Sequence, residues 1–232
     1  MTIDEKDLLN SLLNSLSNID FIKPEDFPNI DLYMDQVTTF MDTQLSACKR
    51  HPEDKVLTKT MINNYAKNDL LPPPVKKKYS KEHMLALIFI YYFKNILSIG
   101  DIQAILNPIT DKYFASGSDF GLEDIYSEIF RLEESGMLNM QKDLTRKYQT
   151  SLQTFADQPQ DDQAELQRFS FICMLCFDVY VKKQLIERMI DSRLPQTGTD
   201  KNLSEKGRNK NSSDKGRKAD SSEKGKPKST SG

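Results

Sequence analysis

The reading turns on residues 58–106, TKTMINNYAKNDLLPPPVKKKYSKEHMLALIFIYYFKNILSIGDIQAIL. Thr60 fits as the N-cap of a helix over residues 61–70. Ile62, Tyr65, Ala66 and Leu70 recur at three- and four-residue spacing and make its buried side. Thr60, Asn63, Asn64 and Lys67 fall together on the opposite side. Pro72, Pro73 and Pro74 must end that helix, because proline has no N–H to donate and crowds the turn before it. Lys76, Lys77 and Lys78 then project from a turn or short hairpin that closes at Tyr79. Ser80 caps a helix over residues 81–97 that is apolar almost all round, which demands burial on more than one side. Ser98 with Asp101 three residues later is the capping signature of another helix, expected to end near Leu106 before Pro108.

Outward from this stretch the chain reads as helical. With 232 residues, 38% of them hydrophobic, it can bury a real core in one or two domains. Upstream, Leu8, Leu9, Leu12, Leu13 and Leu16 mark an amphipathic helix over residues 4–17, and Pro24 and Pro28 mark a linker. A helix follows over residues 30–48, then a polar connector at 51–55. Downstream, a loop over 108–121 leads to a helix over 122–156, interrupted near Gly136. After a break at 158–162, a final helix covers 164–194. From Pro195 the only large hydrophobe is Leu203, so the Lys/Ser/Gly-rich tail, with its imperfect nine-residue repeat, is expected to be disordered. This gives four segments: 1–29, an N-terminal helix and linker; 30–107, the core; 108–194, a C-terminal helical region for dimerisation or ligand sensing; and 195–232, the tail.

The net charge of −2 hides an uneven distribution. Ten Lys/Arg and five Asp/Glu lie in 195–232, which leaves 22 basic against 29 acidic residues in 1–194. Within that acidic body, residues 49–94 hold ten basic and four acidic side chains, a local basic island. No run of 18 apolar residues is present, so no membrane span is expected. The N-terminus MTIDEKDLLN has no signal-peptide core, and the cytoplasm is the expected compartment. Three cysteines give no disulfide framework.

The middle stretch resembles the MerR family of bacterial winged helix-turn-helix regulators. The family's recognition helix follows a pattern close to T-I-R-Y-Y-E-x-x-G-L-L-P-P, and residues 61–73 read M-I-N-N-Y-A-K-N-D-L-L-P-P. Residues 75–79 stand where the family has its wing. SKEHMLALIFI after them is similar to the helix that follows the wing, and SIGDI at 98–102 to the family's next helix start. The family's arginine falls on Asn63, the first of its paired tyrosines on Asn64 and its glycine on Asp69. The wing is shorter, and a longer helix with a polar connector replaces the family's first helix. Residues 1–194 as a whole resemble an uncharacterised domain-of-unknown-function family of low-GC Gram-positive bacteria with a MerR-like core.

The resemblance implies an all-α protein with a winged helix-turn-helix core, binding double-stranded DNA as a homodimeric transcriptional regulator. Two recognition helices would then enter successive major grooves. Asn63 and Asn64 are residue types that pair bidentately with adenine, and Thr60 and Lys67 suit a groove or a phosphate. Lys59, Lys76, Lys77, Lys78 and Lys81 would neutralise phosphates, each contributing about one unit of salt slope. The bland alternative for this face is an ordinary solvated helix beside a solubilising turn. In that case the molecule is a helical protein-interaction adaptor that binds no DNA. Cys173 and Cys176 form a C-x-x-C amid Phe171, Ile172 and Phe177, which reads as a pair of small core residues, a thiol or metal sensor being the runner-up. His83, in the first turn after Ser80, reads as structural or close to phosphate. No Gly-rich phosphate loop, paired carboxylates or activated nucleophile is present, so no enzyme, cofactor or metal is expected; a small-molecule effector is left open.

Overall fold

The computed structural model describes residues 22–193, together with Ser11 and Leu13. The helix expected over 4–17 is otherwise outside the described residues, as is the tail. Six α-helices and a two-stranded sheet are present among the described residues: β1 (Leu32–Tyr33), α1 (Met34–Gln44), α2 (Lys59–Lys67), β2 (Lys78–Tyr79), α3 (Lys81–Phe93), α4 (Ile99–Tyr113), α5 (Leu122–Ser151) and α6 (Gln160–Asp191). The protein is mostly helical, as its composition suggests.

The core is built on α3. Every residue from His83 to Tyr91 is buried, so this helix has no solvent face. One side meets α4, another meets α5, and its start meets β2. Met84, Leu85, Leu87, Ile88 and Ile90 are buried almost completely. Truncating one of them, Leu87→Ala for example, would cost about 2–5 kcal/mol. The partner that this apolar helix demands is thus supplied by the same chain. Tyr126 on α5 donates its hydroxyl to the Ile22 carbonyl at 2.6 Å and meets Phe27 and Phe89 edge-on, drawing the N-terminal segment onto the same core.

Several boundaries differ from those expected. The helix read over 30–48 starts only at Met34, because Leu32 and Tyr33 are used as a strand, and it gives way to a 3₁₀ turn at Ser46–Cys48. The helix over 81–97 stops at Phe93, where Leu97 N–H turns back to the Phe93 carbonyl at 2.8 Å. The helix expected to stop before Pro108 runs through it to Tyr113. Proline removes a single donor, and the buried Thr110 hydroxyl binds the Leu106 and Asn107 carbonyls just past it. The division placed at 107/108 therefore falls inside α4. Gly136 does not interrupt α5, since one glycine costs only about 1 kcal/mol in a helix of this length.

α5 and α6 pack antiparallel. Tyr148 and Phe171 meet edge-to-face at 5.3 Å, Lys147 pairs with Asp143 and Asp178, and the buried Gln167 ties down the Leu152 and Thr154 carbonyls at the turn. The opposite side of α6 is apolar and open to solvent. Phe169 is 62% exposed, Phe177 65% and Tyr180 58%. Cys173 and Cys176 are exposed on that side as well, not in a core as the flanking phenylalanines suggested.

Candidate nucleic-acid interface

The polar face of α2 is formed as its spacing predicts. Thr60, Asn63, Asn64 and Lys67 are all exposed, while Ile62 and Tyr65 are buried beneath them. The cap lies two residues earlier than the sequence suggested: Thr58, not Thr60, accepts the Met61 N–H at 3.2 Å. Thr60 is thereby inside the helix, with its hydroxyl released from capping. Lys67 closes the helix, where a cation complements the negative end of the helix dipole.

The end of α2 is a Schellman turn. Leu70 N–H reaches back to the Tyr65 carbonyl at 2.9 Å, and Asp69 adopts the left-handed conformation with φ 54°. This is the position where the resembled family has glycine, so the backbone demand persists although the glycine does not. Gln103 on α4 donates to the Asn68 carbonyl at 2.6 Å and holds the same end of the helix.

The lysine turn is a two-residue hairpin. Val75 and Lys78 exchange backbone hydrogen bonds at 3.1 and 2.9 Å, with Lys76 (φ 50°) and Lys77 (φ 65°) between them. Consecutive positive φ values match the hairpin turn that favours Asn-Gly, and lysine occupies both of its central sites at a conformational cost. Among the described residues, three of the five non-glycine positions with positive φ lie in this short stretch (Asp69, Lys76 and Lys77, beside Ala115 and Phe155), a concentration typical of functional sites. Both tip lysines are exposed. Lys78 instead lies over the Tyr33 ring, its Nζ 5.3 Å from the centroid.

The base of the turn is fixed by pairing that local sequence does not reveal. Tyr79 pairs with Leu32 and Lys78 with Tyr33 in an antiparallel register. The alternation turns Tyr79 inward and leaves Lys78 half-buried above Tyr33. α1 packs against both α2 and β2, so a single helix backs the polar face and the turn.

His83 locks the other side. The Ser80 N–H donates to its Nδ1 at 3.0 Å, and Ser80 Oγ lies 2.8 Å from the same nitrogen. Nε2 therefore carries the proton, and it faces the Pro73 carbonyl at 3.4 Å. Tyr79 and Phe114 meet the imidazole edge-on. Burial pushes its pKa below the ordinary histidine value, against smaller opposing effects from the Pro73 carbonyl and Asp31. This histidine is a structural pin between the proline stop and α3, the first of the two roles that its place after Ser80 suggested; the S-x-x-H spacing of a capping box is its signal.

Not every expected cation is available. Lys59 forms an ion pair with Asp35 on α1. Lys81 is largely covered and binds Glu123 on α5 at 2.7 Å. Its spacing from Ser80 gave no hint of a partner 42 residues away. The structure thus assembles Thr60, Asn63, Asn64 and Lys67 on one helix and Lys76 and Lys77 at one tip; Lys78 and Lys81 are engaged within the fold, and Lys59 stays exposed in a surface ion pair. Beside the start of α2 lies an open cleft of about 590 Å³ whose walls include Thr43, Asp42, Lys49 and Lys59; Lys49 and Asp42 pair across it at 2.8 Å. Among the described residues, no three His, Cys, Asp or Glu side chains gather to hold a metal ion, and no helix is long and apolar enough to cross a membrane.

Comparison with curated proteins and with solved structures gives no match. Residues 22–129 match the family model described as a domain of unknown function (DUF1836), a span that contains α2, the lysine turn and the whole of α3.

Proposed function

We propose that this chain is a DNA-binding transcriptional regulator of the MerR-like winged helix-turn-helix type. α2 would act as the recognition helix and the lysine turn as a short wing, with the protein working as a twofold assembly. The observation that carries the reading is the turn itself. Two adjacent lysines are held at left-handed positions that asparagine or glycine would occupy with less strain, and both are exposed. A solubilising turn needs no such placement, whereas a phosphate-binding tip benefits from two cations on a rigid two-residue bend. Asn63, Asn64 and Lys67 would read base edges or phosphates from the adjoining helix. The order of capped helix, proline stop, basic turn and apolar helix supports the family reading.

A genomic-fragment binding selection followed by a salt titration tests this. Enrichment of particular sequences, with affinity that weakens when Lys76, Lys77 and Lys78 are together changed to Ala, supports the regulator. Absence of binding even at low salt rejects it. The competing reading is a helical adaptor with this fold that binds a protein. It is favoured by the internal pairing of Lys81 with Glu123 and by an exposed acidic residue, Asp69, two positions after Lys67.

A further inference from the structure

The small sheet presents two unlike faces. Residues paired directly across antiparallel strands point to the same side, so Leu32 and Tyr79 share the inner face, where both are buried. The outer face holds the next pair, Tyr33 and Lys78, and the bridge from Lys78 to Val75 adds a third member to the row. A solvent-facing side of an antiparallel sheet is normally polar. Here Tyr33 is 54% exposed and Val75 69%, with Lys78 half-buried between them and its Nζ 5.3 Å from the Tyr33 ring. Neither Tyr33 nor Val75 belongs to the buried core. The fold thus sets an aromatic and a β-branched side chain in water on either side of an ammonium group.

The row is continuous with the tip of the turn, since Val75 precedes Lys76 and Lys78 follows Lys77. Charge selects what can cover it. Both tip lysines are exposed, and no acidic residue lies between Leu70 and Lys81, so the surface complements a polyanion. Scale agrees as well. Strands lie about 4.8 Å apart, and three residues across therefore span roughly 10 Å, close to three steps of ~3.4 Å along one strand of a duplex. From this we infer that Tyr33 and Val75 form an apolar seat for the deoxyribose faces of duplex DNA, beside the phosphates that Lys76 and Lys77 neutralise. Lys78 keeps the Tyr33 ring in place through its cation–π contact. The inference rests on the DNA reading above and adds a contact that salt does not weaken, made by residues outside the recognition helix. Phosphate contacts alone carry no such component.

The test uses the full chain and the duplex recovered by the binding selection, with fluorescence anisotropy read across a salt series. Tyr33→Thr with Val75→Thr keeps a strand-forming residue at both exposed positions, and the Tyr33 N–H bond to Gln36 is a backbone one that survives. Affinity should fall on the order of 10-fold at every salt concentration, the effect of about 60 Å² of apolar surface left in water. The slope of log affinity against log salt should stay at the parent value, because no charge is removed. Lys76→Ala with Lys77→Ala should give the contrary pattern, a slope smaller by about 1.8. Tyr33→Phe, which keeps the ring and loses the hydroxyl, should bind like the parent. Should the double threonine variant fail to fold, Val75→Thr alone carries the comparison, with a loss of about threefold. A double variant that binds as tightly as the parent overturns the seat and leaves the regulator standing. A loss that comes with a reduced salt slope, or one reproduced by Tyr33→Phe, overturns it too, since the contact would then be polar. A parent chain that binds no duplex at any salt refutes the regulator and the seat together.

Discussion

Replacing Lys76 with Asn and Lys77 with Gly should make the protein more stable and a poorer ligand for polyanions. Lys76 and Lys77 sit at φ 50° and 65°, in a region that costs an L-residue roughly 1–2 kcal/mol. Asn-Gly is the pair this turn prefers, and glycine gives back about 0.5–1 kcal/mol of backbone entropy. The net gain is on the order of 1–2 kcal/mol, or about 3–6 °C in Tm for a folded region of this size. The neighbouring contacts survive, because the Val75–Lys78 backbone bonds and the Leu32–Tyr79 pairing do not involve the replaced side chains. If the two ammonium groups lie on phosphates, the slope of log affinity against log salt should fall by about 1.8, and affinity at low salt should drop correspondingly. Calorimetry and fluorescence anisotropy with a labelled duplex at several salt concentrations read both effects. A variant that melts at or below the parent temperature refutes the strained turn. One that melts higher with an unchanged salt slope refutes the phosphate contact while leaving the turn intact.

Asp69→Gly should raise stability by about 0.5–1 kcal/mol in urea unfolding, because it relieves the left-handed strain at the end of α2; under the regulator reading it should also tighten duplex binding by removing a carboxylate. Gly136 lies within α5 with no atom near the place a Cβ would take, so Gly136→Ala should stabilise by about 0.5–1 kcal/mol with no change in oligomeric mass. His83 makes stability depend on pH. Its folded pKa is lowered by burial while the unfolded value is near 6.5, so the unfolded chain binds the extra proton first. The contribution is therefore whole above pH 6.5 and is lost as pH falls from there through the depressed folded value. Urea midpoints compared at pH 8 and pH 5 should show this loss in the parent and a smaller one in His83→Asn, which keeps an acceptor for Ser80; equal losses would remove His83 from the account.

The local grammar of residues 58–106 was readable because each signal acts over one helical turn. Ser98 and Asp101 cap α4 as their spacing says, the three prolines end α2, and the exposed and buried positions of α2 alternate as expected. Thr60 was expected as the cap of α2, but Thr58 serves; both are good capping residues, and local spacing alone does not tell them apart. What remained hidden was non-local. Nothing near Leu32 announces a strand until Tyr79 is brought beside it, and nothing near Lys81 announces Glu123. Pro108 read as a stop because the burial of Thr110 and Leu106 that keeps α4 helical comes from packing. The thiols of α6 read as core because large apolar neighbours usually mean burial; here the neighbours are themselves on the surface.

The β1–β2 pairing has a consequence for how this chain can vary. Leu32 and Tyr79 are held in register across 47 positions of sequence, and α1 supports both ends of what they enclose. The exposed connector at His51, Pro52, Glu53, Asp54 and Lys55 is therefore free to change in length, since doubling such a loop costs only about 0.6 kcal/mol. A slip of one residue in the strand pair is different in kind: it would turn Tyr79 to solvent and bury an ammonium in its place. Drift in this protein is thus tolerant of insertions before α2 and intolerant of any single insertion between Val75 and Tyr79.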